Sequence, residues 1–87
     1  MSTSYVWYYT VMYDKEKFLN ELAENIRAER ARKKYSQEML AEMADITQQH
    51  LYRIENAKVC PTILVVANIA QALNVSLDTL YPIKQEH

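Results

Sequence analysis

Apolar residues recur at helical spacing along most of the chain. Phe18, Leu22 and Ile26 repeat every four residues, with Leu19, Ala23 and Arg30 flanking the same stripe. That pattern belongs to an amphipathic helix with one buried face. Asp14 stands where an N-cap belongs, so a first helix is predicted over roughly residues 15–34. Ser36 can cap a second helix that turns Leu40, Ala41 and Ala44 inward, with Glu38 in its first turn near the positive end of the helix dipole. Thr47 can cap a short third helix whose inward residues are Leu51 and Ile54. Beyond Pro61, Thr62 can open a fourth, with Ile63, Val66, Ala67, Ala70 and Leu73 on one face. Ser76 and Asp78 start a last turn or two carrying Leu77 and Leu80, which Pro82 stops. The chain has no glycine, so these boundaries rest on caps, proline and periodicity. The expectation is an all-α domain of five helices over residues 14–81, between an N-terminal extension, 1–13, and a tail, 82–87.

Composition narrows the class. A chain of 87 residues holds one core, and 49% apolar residues are ample to fill it. No apolar run approaches the ~18 residues of a membrane span. The first residues also lack the basic start and aliphatic stretch of an export signal. Cys60 is alone and has neither a disulfide nor a metal-site partner among cysteines. A cytoplasmic protein without metal, cofactor or evident small-molecule ligand is expected. An enzyme is not, because the carboxylates are scattered and no nucleophile has an evident base.

Charge is less direct. The net charge of −1 argues against a general nucleic-acid binder. Its distribution is uneven, however, with Arg27, Arg30, Arg32, Lys33 and Lys34 clustered near the end of the first helix. They make either a basic patch or a solvated helix end whose cations complement the dipole.

The joint between the second and third helices carries more. Only Ala44, Asp45 and Ile46 separate the second helix from the Thr47 cap. So short a connection leaves the helices crossing steeply, with Ala41 and Ala44 where the backbones approach. That is helix-turn-helix geometry. If Leu51 and Ile54 point inward, then Gln49, Tyr52, Arg53 and Asn56 point outward, and Gln48 joins them at the N-terminal end. Gln can bridge adenine N6 and N7, and Arg can bridge guanine O6 and N7. No carboxylate precedes Glu55 on this helix. An ordinary polar helix surface also favours Gln and Arg, so chemistry alone leaves both readings open.

The segments Ser36–Glu42, Ile46–Lys58, Pro61 and Ile69–Asp78 closely resemble the phage repressor and Cro family of bacterial and phage regulators, also called the xenobiotic-response-element family. The resemblance runs from about residue 18 to residue 81 without an insertion. It implies a lambda-repressor-like domain that binds double-stranded DNA as a homodimer at an inverted-repeat operator, acting as a transcription regulator and most often a repressor. By the same resemblance Gln37 meets a phosphate and braces the third helix. Gln48 and Gln49 meet base edges or the adjoining backbone, Arg53 matches another base-reading position, Asn56 and Lys58 form a phosphate-gripping loop, and Arg30 pairs internally with Glu55.

Departures from the family qualify this. Asp45 and Ala57 stand where glycine is common, and Asn74 replaces a third. Asp and Asn tolerate a left-handed turn, but Ala does so poorly, so an altered loop is expected after the third helix. His50 projects beside the reading face, which suits phosphate or solvent better than bases. Met39, Met43 and Leu64 are apolar where the family is usually polar. Residues 5–13, Tyr-Val-Trp-Tyr-Tyr-Thr-Val-Met-Tyr, have high strand propensity and lie outside the match. A β-strand there could pair across a two-fold axis with a second copy, or lie over Met39 and Met43. A disordered leader is the alternative. Tyr5, Trp7, Tyr9, Val11 and Leu64 are thus the dimerisation candidates. The competing function is a protein-interaction module, such as an antitoxin or a partner-binding helix-turn-helix subunit.

Overall fold

Five helices follow one another in the computed structural model, which describes residues 14–82: α1 (Lys15–Lys33), α2 (Gln37–Met43), α3 (Gln48–Glu55), α4 (Ile63–Leu73) and α5 (Leu77–Leu80). The expected N-terminal strand, with Tyr5, Trp7, Tyr9 and Val11, lies outside the described residues. The predicted caps start the first four helices. Side-chain oxygens accept from backbone N–H groups in the pairs Asp14–Lys17 at 3.1 Å, Ser36–Met39 at 3.0 Å, Thr47–His50 at 3.0 Å and Thr62–Val65 at 3.2 Å. Each satisfies an otherwise unpaired donor and stabilises its helix by about 1 kcal/mol. Ser76 behaves differently. Its hydroxyl lies 3.2 Å from the Thr79 hydroxyl and caps no N–H.

The helix ends show how a chain without glycine turns its corners. Lys34, Asp45, Ala57 and Asn74 all have positive φ, between 57° and 61°. At each, two backbone bonds close the same motif. After α3 they run from Ala57 N–H to Ile54 O (3.1 Å) and from Lys58 N–H to Arg53 O (2.8 Å). The loop expected to be altered at Ala57 therefore takes the turn that glycine would take, with a Cβ in the left-handed region. That Cβ costs about 1–2 kcal/mol, partly offset because Ala has less freedom than Gly when unfolded. Ala57→Gly is expected to raise stability by about 0.5–1 kcal/mol and the melting temperature by a few degrees. Thermal denaturation checks this, and an unchanged or lower melting temperature would refute it.

The core is one cluster drawn from every helix: Leu22 and Ile26 of α1, Leu40 and Ala41 of α2 with the adjoining Ala44, Leu51 and Ile54 of α3, Val66, Ile69, Ala70 and Leu73 of α4, and Leu80 of α5. Ala41 and Ala44 are almost fully buried beside Leu40, so small side chains make up part of the packed face of α2 and its end. On α4 the buried stripe differs from expectation. Ile63 is 63% exposed and Ala67 half-buried, while Ile69 is fully buried. Ile63 is the first residue of α4 and projects beyond the core. The face that meets α2, α5 and α1 is set by Val66, Ile69, Ala70 and Leu73. Asn25 Nδ2 donates to Leu80 O at 2.9 Å, tying the last helix to the first. The Phe18 and Tyr81 rings pack there, with centroids 5.9 Å apart. Burial raises the Tyr81 phenol above its ordinary value, with Cys60 adding to the effect, so it stays protonated at neutral pH.

Candidate nucleic-acid interface

An eight-residue helix such as α3 is too short to persist alone in water. Its position is set from the inside. Leu51 and Ile54 enter the core, and the turn from α2 is closed by Ile46 N–H donating to Ala41 O at 3.0 Å. The outward side is entirely polar or aromatic. Gln48, Gln49, Tyr52, Arg53 and Asn56 are all exposed, as is Lys58 in the following loop. The side chains of Gln48, Gln49, Tyr52, Arg53 and Lys58 have no hydrogen-bond or ion-pair partner among the described residues. Their donors and acceptors are available to a ligand. No acidic residue lies in the first turn of α3. Its positive dipole end is thus free to face phosphate.

His50 is half-buried and lines a shallow depression with Thr47, Gln49 and Arg53. Asn56 is partly committed to its own helix, since its Nδ2 donates to Tyr52 O at 2.8 Å. That capping bond leaves one amide hydrogen and the oxygen for other partners.

Behind the face lies a polar anchor on Glu55, whose side chain is 1% exposed. Arg30 Nε donates to Glu55 Oε2 at 2.8 Å, and Arg30 Nη2 to Oε1 at 2.9 Å. Gln37 Nε2 donates to the same Oε1 at 3.0 Å. Arg30 Nη1 also reaches Tyr35 O at 3.1 Å, and Arg27 Nη1 donates to the Glu55 carbonyl. Three side chains from α1 and α2 thereby hold the last residue of α3. Gln37 is half-buried and turned onto Glu55, a connection helical periodicity could not supply. The spacing of Arg27 and Arg30, one turn apart on α1, was the available sign that both face the same neighbour.

These contacts also thin the basic cluster of the sequence. Arg30 is neutralised by Glu55, and Arg32 Nη1 pairs with Glu29 at 2.7 Å on the surface. Among the described residues, Lys33 and Lys34 keep side-chain charges without a partner. No group of three or more His, Cys, Asp or Glu among the described residues could hold a metal ion. No helix there is long and apolar enough to cross a membrane.

A tightly joined and packed α2–turn–α3 pair, with an unpartnered Gln- and Arg-bearing helix face, defines a helix-turn-helix DNA-binding protein. Residues 26–80 match the HTH_3 helix-turn-helix family model, and the chain belongs to that family of DNA-binding transcription regulators rather than to any class of enzyme. Solved structures agree on the fold. The restriction-modification controller protein C.AhdI from Aeromonas hydrophila superposes with a TM-score of 0.71 at 22% identity, over 72% of this chain and 96% of that one. An HTH_3 family transcriptional regulator from Vibrio cholerae gives 0.74 at 22% identity, over 77% of this chain but 38% of its own. The hypothetical transcription factor NHTF from Neisseria gives 0.73 at 26% identity, over 80% of both chains. No curated protein sequence is significantly similar to the chain.

Proposed function

We propose that the protein is a cytoplasmic repressor that binds an inverted-repeat operator as a homodimer. The observation that carries this reading is the exposed, unpartnered row Gln48, Gln49, Tyr52 and Arg53 on a helix held from behind at Glu55. Two copies of α3 enter successive major grooves about 34 Å apart on one face of the duplex. Gln48, Gln49 and Arg53 supply sequence preference through base edges, with Tyr52 beside them. Asn56, Lys58 and Gln37 set the register on the phosphates, Gln37 with the donor capacity left beyond its bond to Glu55. Among the described residues, Ile63 and Leu64 form the most exposed apolar pair, 63% and 67%, and Leu64 is the favoured contact between copies there.

Selection from random duplex DNA, followed by titration of the selected site, tests this. An inverted repeat should emerge, and Arg53→Ala should cost about 1–3 kcal/mol on it while relaxing preference at one position. Gln49→Ala should act likewise at another position. Equal losses on every sequence would reassign Arg53 to phosphate. Failure to enrich any sequence would favour the interaction-module reading, in which Met39, Met43, Ile63 and Leu64, all at least 46% exposed, would meet a protein partner.

A further inference from the structure

The C-terminal end of α3 is closed by side chains as well as by backbone. Arg53 O accepts from Lys58 N–H and Ile54 O from Ala57 N–H, the two bonds of the turn motif. Asn56 N–H turns to Arg53 O at 3.3 Å, and Tyr52 O accepts from the Asn56 amide instead. Glu55 O accepts from Arg27 Nη1. Each of the last four carbonyls thus has a partner, and Arg27 is the one that reaches in from another helix.

We propose that Arg27 is a positioning residue for DNA reading, fixing the rotation of α3 about its own axis. Glu55 is held at two separate points. Arg30 and Gln37 grip its carboxylate, and Arg27 grips its carbonyl. A side chain gripped at its tip alone still lets the helix end rock through rotation about the side-chain torsions. A second grip on the backbone of the same residue removes that freedom. What it fixes is the bearing of Arg53, two residues earlier on the exposed face, and of the 56–58 loop that follows. Bidentate base contacts are directional, so small rotations weaken them before they weaken phosphate contacts. The guanidinium also places a cation at the negative end of the α3 dipole.

The inference rests on the DNA-binding reading, and its test separates the two. Arg27→Met removes the donor and the charge while keeping the stem, and Arg27→Lys keeps a charged donor. Operator and random-sequence affinities are measured across a salt series, well below each variant's melting temperature. The expected result is a fall of about fivefold to tenfold in the operator-to-random ratio for Arg27→Met, with an unchanged salt slope and partial recovery in Arg27→Lys. An unchanged ratio, even with a lowered melting temperature, would make Arg27 a purely structural cap and overturn the proposal. A salt slope reduced by about one with the ratio intact would make it a phosphate contact, overturning it equally. If Arg27→Met does not fold, Arg27→Lys decides, because its ammonium ends one bond short of the position Nη1 occupies and should still leave the ratio measurably lowered, and a parental ratio overturns the proposal. If the parent protein itself shows no operator preference, the DNA-binding reading fails first and the positioning role falls with it.

Discussion

Arg30→Ala is expected to lower stability by about 3 kcal/mol, toward the lower end of the range for breaking a buried pair by removing one partner. The loss arises mainly from what stays behind. Glu55, 1% exposed in the parent, has its carboxylate reduced from three donors to the single Gln37 amide. Arg30 itself is 22% exposed, so solvent softens the penalty. Against a total of about 5–15 kcal/mol for a small domain, the variant should still fold but with a clearly lowered urea midpoint. The double variant Arg30→Met, Glu55→Leu is expected to recover most of the lost stability, because it removes the desolvation cost of both charges. It should nevertheless discriminate its operator poorly, since the carboxylate grip on α3 is gone. A single variant within 0.5 kcal/mol of the parent would show that the pair contributes neither stability nor strain.

Leu51→Ala should have an effect of similar or greater size, about 2–5 kcal/mol. Leu51 is fully buried on a helix of eight residues, and Ile54 is the other apolar residue that the helix buries. Because α3 is too short to form alone, its helicity depends on burying these two side chains. Truncating one leaves a void in the core and removes part of the force that keeps the helix formed. The neighbouring Tyr52, 52% exposed, provides the contrast. Tyr52→Ala should change stability by no more than about 0.5 kcal/mol. Thermal denaturation of both variants checks the pair, and comparable melting temperatures would sink the idea that Leu51 holds α3 in place.

Much of the architecture is legible without coordinates because it is local. Asp14, Ser36, Thr47 and Thr62 each cap a helix through an N–H only three residues away, so the residue and its partner lie in one short stretch of sequence. The apolar inward residues of α1, α2 and α3 follow from period alone, and so do the outward Gln48, Gln49, Tyr52 and Arg53. The pairing of Arg30 with Glu55 came only by resemblance to a family, since nothing local joins residues 25 positions apart.

Tertiary structure decided what depends on neighbours. Two faces of α4 could have been buried by its composition, rich as it is in aliphatic residues. Packing against α2, α5 and α1 chose Ile69 and left Ile63 exposed. Propensity disfavoured Ala57 in a left-handed turn, yet two backbone bonds and the need to continue the chain toward α4 hold it there. The sequence left the five clustered cations as either a basic patch or a solvated helix end, whereas the fold pairs Arg30 and Arg32 with acids and turns Arg27 onto a carbonyl. Periodicity reports which face of a helix is apolar. Which polar side chain finds which partner is a matter of distance across the fold, and only the packed helices set those distances.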